Sequence, residues 1–371
     1  MQKYKEIESL EEFFEEIPEG TVASRYAFQA VNFTIPAFDE QKYSFRDCVF
    51  LGCEIPPRMH FAIGRECVVL PRIPMPFKVF PKELYSADTL YRGYDYRHPE
   101  TIDTCYDTIV FQHYVSAGKY SEDIKETLTR SLHDHSINDA LDDFLSRYDR
   151  KDIVAVMGGH ILSRTSAEYH KIAHLSRILT EKGKLMVSGG GPGAMEAVHL
   201  GAWMAGRTTD ELEDAVSILE QHPTFSDKGW LPSAFYVKGL YPQRSGFFSL
   251  GIPTYLYGHE PSSPFSTHIA KFFDNSVRED RIVSKPAGGI IFAPGGPGTF
   301  QEIFQNAALN HYQTLGYSSP MVFLGKEYYT KKVPVYPILT ELMEKEVFKN
   351  LKLTISDDVD EIVGTIMSYA G

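Results

Sequence analysis

The chain has 371 residues, of which 43% are hydrophobic and 23% charged, so its composition fits a globular protein and excludes a disordered or collagen-like chain. Its net charge of −12 argues against bulk electrostatic binding to a nucleic acid polymer or an anionic membrane, because both are polyanions. At roughly 150 residues per domain, the length predicts two domains or one large one.

The N-terminal sequence and the cysteines favour a cytoplasmic protein. Residues 1–17 are acidic and amphipathic and lack the apolar core of a signal peptide, and no apolar run reaches the roughly 18 residues that a membrane-spanning helix needs. The four cysteines are too few for a disulfide framework in a chain of this length, and they lack zinc-finger spacing. We therefore expect reduced core residues at Cys48, Cys53, Cys67 and Cys105.

Residues 1–150 are rich in Tyr, Phe and Pro and predict an N-terminal α+β cap domain of unknown role. Short strands are expected at residues 48–51 and 67–70, and prolines exclude a helix directly after them. Apolar residues at helical spacing predict a helix over residues 121–148.

Two features of this region allow a functional interpretation beside a structural one. His133 and His135 are two residues apart and would face different sides of the helix, so a solvated helix face is favoured over a metal site. An aromatic cluster suits either base stacking or, as we favour, a loop packed on the core; its members are Tyr91, Tyr94 and Tyr96.

Residues 151–371 predict alternating strands and helices. A helix is expected after Thr165-Ser166 and another after the glycine cluster at 189–193. Alternation of this kind implies right-handed crossovers and a parallel α/β sheet. Strands are expected at residues 153–157, 185–188, 234–237, 253–257, 290–293, 321–324 and 351–355.

Three glycine-bearing turns fall at the carboxyl ends of predicted strands, where ligands bind in parallel sheets. They are Gly158-Gly159, Gly189–Gly193 and Gly295–Gly298. Glycine lets the backbone approach a ligand closely, and the free N–H groups of a following helix hold a phosphate. No Gly-Lys-Ser/Thr follows the turns and the GxGxxG spacing is absent, so a Walker loop and NAD or FAD are disfavoured.

The third turn carries polar residues that suit catalysis. Thr299 is placed to cap a helix or bind a phosphate oxygen, and Glu302 follows three residues later. The alternative is a capping box in which Glu302 only reaches back to the Thr299 N–H. A capping box does not need a glycine-rich turn before it, so the glycines here favour a ligand-binding site.

Three stretches of this part resemble a known family: VMGGH, GGGPGAMEA and PGGPGTFQE. Over about residues 151–365 the chain is similar to the "lonely guy" (LOG) family, in the larger nucleotide-nucleosidase branch, whose members are often mislabelled lysine decarboxylases. The resemblance implies a Rossmann-like doubly wound parallel sheet and hydrolysis of nucleoside 5′-monophosphates to free base and ribose 5-phosphate. It also implies a homodimer, with active sites near the subunit interface, and no metal or organic cofactor.

The resemblance also assigns site residues. The acid of the family motif falls on Glu302, and the family arginine falls on Arg278, with Arg281 as the alternative. A carboxylate near the ribose would stabilise the oxocarbenium-like state or orient water, and a guanidinium would clamp phosphate or ribose oxygens. The residues expected to bind substrate phosphate are Gly158, Gly189, Gly190, Gly191, Gly193, Met195, Gly295, Gly296, Gly298 and Thr299.

The chain departs from the family pattern at three points. Gly158-Gly159 stands where relatives often carry Gly-Ser, and Arg278-Glu279 replaces a common Arg-Lys pair. Residues 208–244 are expected to be an insertion. The competing function is a nucleotide-sensing module that uses the same pocket without cleavage. A decarboxylase that depends on pyridoxal phosphate is not supported, because no lysine lies in a recognisable Schiff-base context.

Overall fold

The computed structural model describes residues 4–258 and 260–369. The chain forms two compact units, one of Met1–Leu84 with Ala117–Asp142 and one of Tyr85–Ser116 with Asp143–Gly371. This division differs from the expected boundary at residue 150, because residues 85–116 belong to the second unit. Backbone hydrogen bonds fix Tyr85 to Ile269 in both directions, at 2.9 and 2.7 Å.

The first unit is built from short parallel strands around an aromatic core. The strands expected at 48–51 and 67–70 are present, each one residue shorter. Phe13 lies at the centre of the core and contacts the rings of Phe28, Phe33 and Phe45. The strands form a sheet of order β1-β3-β5-β6 and a separate pair β2-β4; they are β1 (Lys5–Ile7), β2 (Val22–Ser24), β3 (Tyr26–Gln29), β4 (Ser44–Arg46), β5 (Val49–Leu51) and β6 (Val68–Leu70).

The helices of the first half of the chain include the long helix expected at 121–148, which spans Ile124–Leu145. On it, the prediction of a solvated face is wrong for His133, which is buried, with its Nδ1 atom 2.8 Å from the Asp134 carboxylate and its ring edge-on to Phe77. His135 is exposed, as expected. The helices are α1 (Leu10–Glu16), α2 (Ala87–Leu90), α3 (Tyr106–Ser116) and α4 (Ile124–Leu145).

The second unit contains a seven-stranded sheet in which every neighbouring pair is parallel. Its order is β10-β9-β8-β7-β11-β12-β13, so the chain winds outward in both directions from the β7/β11 pair. This is the predicted Rossmann-like doubly wound sheet. The strands are β7 (Ile153–Met157), β8 (Leu185–Ser188), β9 (Ser249–Gly251), β10 (His268–Ile269), β11 (Gly289–Phe292), β12 (Pro320–Leu324) and β13 (Lys352–Ser356).

Helices cover the sheet. Residues of α5, α6 and α12 share one apolar core with alternate residues of the central strands, whereas Phe323 of β12 turns the other way and packs on Tyr336 of α11. The helices are α5 (Ala167–Glu181), α6 (Ala194–Trp203), α7 (Thr209–Leu219), α8 (Trp230–Leu240), α9 (Asn275–Ser284), α10 (Pro297–Tyr312), α11 (Val335–Glu344) and α12 (Val359–Ser368).

Two predicted strands are wrong. Residues 234–237 lie in α8, whose buried face carries Trp230, Ser233, Ala234 and Val237 at the spacing of a helix. Residues 253–257 follow β9 without forming a strand, although Thr254 makes an isolated bridge to Phe272. Both windows are short apolar runs, which periodicity alone cannot assign to a strand or a helix.

The four cysteines are free thiols, as expected, but only three of them are buried, and Cys67 is half-buried. Burial raises the pKa of Cys48 and of Cys53 to about 11. Within residues 4–258 and 260–369, none of the helices combines the length and the hydropathy needed to cross a bilayer.

Candidate active site

The three glycine-bearing turns meet at the carboxyl edge of the sheet, beside the point where the strand order reverses. The Gly159 N–H donates to the Pro294 carbonyl at 3.0 Å, which joins the turns after β7 and β11. The Ala194 N–H donates to the Gly159 carbonyl at 3.1 Å, which adds the start of α6. Open α/β sheets bind ligands in the crevice at this position.

Three of the predicted glycines serve close packing between these turns. A Cβ atom at Gly158 would lie 2.7 Å from the Ala194 Cβ, and one at Gly190 would lie 3.0 Å from the Gly251 Cα. Gly193 has a φ of +67°, and a Cβ there would lie 2.5 Å from the Gly159 carbonyl oxygen. The protein itself therefore occupies the space that these glycines leave.

Two other glycines of the second turn face polar side chains. A Cβ at Gly189 would lie 2.5 Å from both the Arg278 Nη2 and the Met195 Sδ atoms. A Cβ at Gly191 would lie 2.9 Å from the Met195 Cε and 3.5 Å from the Glu260 Oε2. Met195 thus packs against both glycines, beside Arg278 at Gly189 and beside Glu260 at Gly191.

The turn before α10 is different, because it is open. The helix begins at Pro297, a position that suits proline, and its N-cap Gly296 supplies no capping side chain. A Cβ at Gly296 or Gly298 would meet nothing within 4 Å. The Tyr328 hydroxyl fixes Gly295 by donating a hydrogen bond to its carbonyl at 2.5 Å. The exposed start of a 16-residue helix is a ready site for a phosphate.

The structure also removes the capping-box alternative for Glu302. Since α10 starts at Pro297, Thr299 is the third residue of the helix rather than its cap, and Glu302 lies in the second turn. Thr299 is buried, and its Oγ1 atom fills the place where a Gly295 side chain would stand. A carboxylate in the second turn of a helix is too far along to cap the helix N-terminus. The buried position of Glu302 therefore needs another explanation.

Arg278, rather than Arg281, lies beside Glu302. The Arg278 Nη1 atom is 3.7 Å from the Glu302 Oε1, and its Nε donates to the Ile252 carbonyl at 2.7 Å. Nη1 also donates to the neighbouring Glu279 carboxylate at 2.8 Å, and this ion pair is buried. Arg281 is half-buried and lies 3.6 Å from Asp280.

Glu302 is 7% exposed, and its burial raises its pKa to about 8. The Arg278 guanidinium acts in the opposite direction, and the neighbouring Glu279 carboxylate adds to the increase. A carboxyl with so perturbed a pKa, beside a buried arginine and a phosphate-type turn, has the features of a functional site.

Sequence reasoning missed two titratable residues at the crevice. Glu260 lies in the loop before β10, with its Oε1 atom 3.7 Å from the Nδ1 atom of His160. His160 directly follows the Gly158-Gly159 turn, which was the only sequence signal for it. Glu260 carried no signal, since it stands in a loop rich in Pro and Ser without a motif.

A buried histidine supports the second glycine turn from below. The His199 ring bonds to the Ser188 hydroxyl through Nε2 at 2.8 Å and to the Ser249 hydroxyl through Nδ1 at 2.9 Å. The Ser188 Oγ in turn accepts from the Gly190 N–H at 3.0 Å. Burial lowers the pKa of His199 to about 3, so the ring is uncharged and acts as a structural support.

The glutamate of the GGGPGAMEA motif is also structural. Glu196 is fully buried and pairs with Arg164 through both carboxylate oxygens, at 2.9 and 2.5 Å. Arg164 further donates to the Ser233 hydroxyl and the Trp230 carbonyl, so this ion pair fixes α8 to the start of α6. A buried pair with so many hydrogen bonds positions the glycine turn from the side.

Residues 85–116 hold the loop that carries Glu260. The Tyr91 hydroxyl donates to the Ser262 carbonyl at 2.5 Å, and the Lys271 ammonium donates to both oxygens of Asp107 at 2.7 and 2.9 Å. The rings of Tyr91 and Tyr94 contact Phe235 of α8. Tyr96 contacts Tyr236, but both of these rings are exposed. The expected packing on the core is therefore confirmed for Tyr91 and Tyr94 and is wrong for Tyr96.

Comparisons with known proteins agree with the sequence motifs in part. Residues 237–364 match a family model described as "Possible lysine decarboxylase". No curated protein matches the sequence significantly.

Two solved structures share limited similarity with the chain. One is the molybdenum cofactor binding protein from the phototrophic bacterium Rippkaea orientalis, with 14% identity over 58% of this chain and 95% of that one and a TM-score of 0.36. The other is the structural-genomics target TM1055, with 17% identity over 58% of this chain and 99% of that one and a TM-score of 0.37.

Proposed function

We propose that this protein is a nucleotide N-glycosidase, because residues 237–364 match the family model described as "Possible lysine decarboxylase", a description often given in error to LOG enzymes. It hydrolyses the N-glycosidic bond of nucleoside 5′-monophosphates and releases a free base and ribose 5-phosphate.

One observation carries the proposal: a buried arginine–glutamate pair lies directly behind an open helix start. The exposed backbone of Gly296–Gly298 offers amide donors to the 5′-phosphate. The ribose attached to that phosphate then extends into the crevice that contains Arg278 and Glu302, whose charged atoms are 3.7 Å apart. A pure phosphate site has no need of a buried carboxylate at this position.

The residues then divide the work of the reaction. Cleavage places positive charge on the ribose, which the ionised Glu302 carboxylate stabilises while it orients the attacking water. Arg278 favours the ionised form of Glu302 and donates hydrogen bonds to substrate oxygens. Since the pKa of Glu302 is about 8, kcat/KM is expected to rise with pH through that value.

The alternative is a nucleotide sensor that does not cleave its ligand. The raised pKa of Glu302 favours this alternative in one respect, because most of the carboxyl is protonated at neutral pH and then donates a hydrogen bond. A catalytic assay separates the two functions.

The decisive experiment assays a panel of nucleoside monophosphates for free base and ribose 5-phosphate, with wild type and with Glu302→Gln. We expect the substitution to lower turnover at least about 1,000-fold while the Kd for the nucleotide, measured by calorimetry, changes less than tenfold, or about 1.4 kcal/mol.

The matched control is Glu126→Gln, which alters another buried glutamate, one bonded to Arg130 at 2.8 Å. It should leave turnover unchanged. Wild-type turnover in Glu302→Gln would refute the catalytic role, and tight binding by a wild-type protein that releases no base would establish the sensor.

We also propose that the protein acts as a homodimer with nucleoside monophosphate as its small-molecule partner, as the family resemblance implies. Light scattering in solution should give twice the mass of one chain. A monomer that retains full turnover would contradict an essential subunit interface.

A further inference from the structure

Resting on the proposed function, we propose that Glu260, oriented by His160, is the acid that protonates the departing base. Glu302 then acts on the ribose and the water, and Glu260 acts on the leaving group. The two carboxylates come from different segments, one from α10 and one from the loop before β10.

The loop that carries Glu260 is fixed against the glycine turn. The Ser263 N–H donates to the Gly190 carbonyl at 2.7 Å, which joins the loop directly to the second turn. Ser262 is bonded on both sides, since its carbonyl accepts from Tyr91 at 2.5 Å and its hydroxyl from Lys271 at 3.3 Å. Three hydrogen bonds therefore fix the loop residues that follow Glu260.

The Glu260 carboxylate faces the crevice from this loop. Its Oε2 atom would lie 3.5 Å from a Cβ at Gly191, next to the Met195 side chain. Its Oε1 atom is 3.7 Å from the His160 Nδ1. The Glu260 side chain is 26% exposed and that of His160 is 47% exposed, so the pair contacts both the crevice and the solvent that resupplies a proton.

The charges around Glu260 suit an acid. Burial raises its pKa, and three cationic or titratable groups act in the other direction: His160, Arg278 and Lys271. Arg278 therefore acts on both carboxylates. Its Nη1 atom is 3.7 Å from the Glu302 Oε1, and its positive charge lowers the pKa of Glu260. Two carboxyl groups in separate environments, both with raised pKa values, fit an acid and base assignment.

The proposed step conserves protons and electrons. As the bond between C1′ and the base nitrogen breaks, its electron pair stays with the base. The proton of the Glu260 carboxyl moves to a ring nitrogen of the base. The oxygen of a water molecule bonds to C1′, and the proton that this water loses passes to the Glu302 carboxylate. Solvent then returns a proton to Glu260 and removes one from Glu302.

The test compares Glu260→Gln on two kinds of nucleotide. AMP and GMP need a proton on the leaving base, whereas nicotinamide mononucleotide and 7-methyl-GMP carry a cationic base that leaves without one. We expect Glu260→Gln to lower kcat at least about 100-fold on AMP and GMP and less than about fivefold on the cationic nucleotides. Glu302→Gln should lower kcat on both kinds.

The control is Glu220→Gln, which alters another half-buried glutamate bonded to a histidine, His170, at 2.8 Å. It should change neither rate. His160→Gln tests the positioning residue: because His160 lowers the pKa of Glu260, its loss should move the alkaline limb of the kcat profile to higher pH.

Each outcome is decisive. If Glu260→Gln lowers kcat equally on nucleotides with neutral and with cationic bases, Glu260 is not the acid. If it leaves kcat on AMP and GMP unchanged, Glu260 takes no part in the reaction. The proposed hydrolysis stands in both cases. A wild-type protein that releases base from none of the four nucleotides overturns the hydrolysis and this inference together.

Discussion

Two glycine-rich turns of almost the same sequence have opposite surroundings in this molecule. GGGPG at 189–193 is buried, and its glycines contact backbone and side chains of neighbouring turns. GGPGT at 295–299 starts an exposed helix, and two of its glycines face empty space. The two sequences are nearly the same. In the turn at 189–193, however, the glycines allow close packing with neighbouring segments, whereas in the turn at 295–299 they leave space for a ligand. We therefore propose that the phosphate binds at the open turn, residues 295–299.

The largest effect expected from this comparison is on stability. Gly193→Ala should lower the free energy of unfolding by about 2–4 kcal/mol, because φ is +67° and the new Cβ would meet the Gly159 carbonyl. Gly298→Ala should change it by less than about 0.5 kcal/mol, since its Cβ meets nothing. Urea denaturation measures both.

The same pair also tests function. Gly298→Ala should weaken AMP binding at least about tenfold, because the methyl group takes the space assigned to the phosphate. A stable Gly298→Ala variant with wild-type affinity would place the phosphate elsewhere.

A smaller effect is expected from removing the phosphate of the ligand. AMP should bind at least about tenfold more tightly than adenosine, because several charge-assisted hydrogen bonds to the open turn are lost with the phosphate. Calorimetry at constant ionic strength measures the two Kd values. Equal affinities would mean that neither glycine turn binds phosphate.

A further effect concerns the pH dependence of stability. The pKa of Glu302 is raised to about 8, so its contribution is fully present below the unfolded value near 4.5 and is lost as the pH rises through 8. Wild type should lose up to about 1.4 kcal/mol per pH unit in this window relative to Glu302→Gln. Unfolding at pH 6 and pH 8.5 measures the difference. Parallel curves for the two proteins would show that Glu302 ionises normally in the folded state.

The sequence predicted the features that short-range patterns control. Strand–helix alternation and the glycine turns indicated the parallel sheet and its carboxyl edge, and three motifs resembled those of the LOG family. Motif spacing allowed either Arg278 or Arg281 as the site arginine. In the structure it is Arg278 that lies beside Glu302. The functional roles of the site residues are still predictions.

What the sequence could not predict depends on long-range contacts. Residues 234–237 have the composition of a strand, but their spacing from Trp230 makes them one face of a helix. Glu260 reaches the crevice because Tyr91, 171 positions from Ser262, holds its loop. His133 is buried by packing against Phe77, which helical spacing alone does not reveal.

The buried Lys271–Asp107 pair decides where this chain can be divided. Asp107 belongs by position to the first 150 residues, yet it neutralises an ammonium group of the sheet unit that has only 3% of its side chain exposed. A fragment that starts at residue 151 would leave that cation in an apolar interior without its counter-ion, a change that costs about 3–5 kcal/mol. The sheet unit is thus assembled from two separate stretches of chain. We therefore expect that neither a gene truncated at residue 150 nor limited proteolysis there yields a sheet unit that folds by itself.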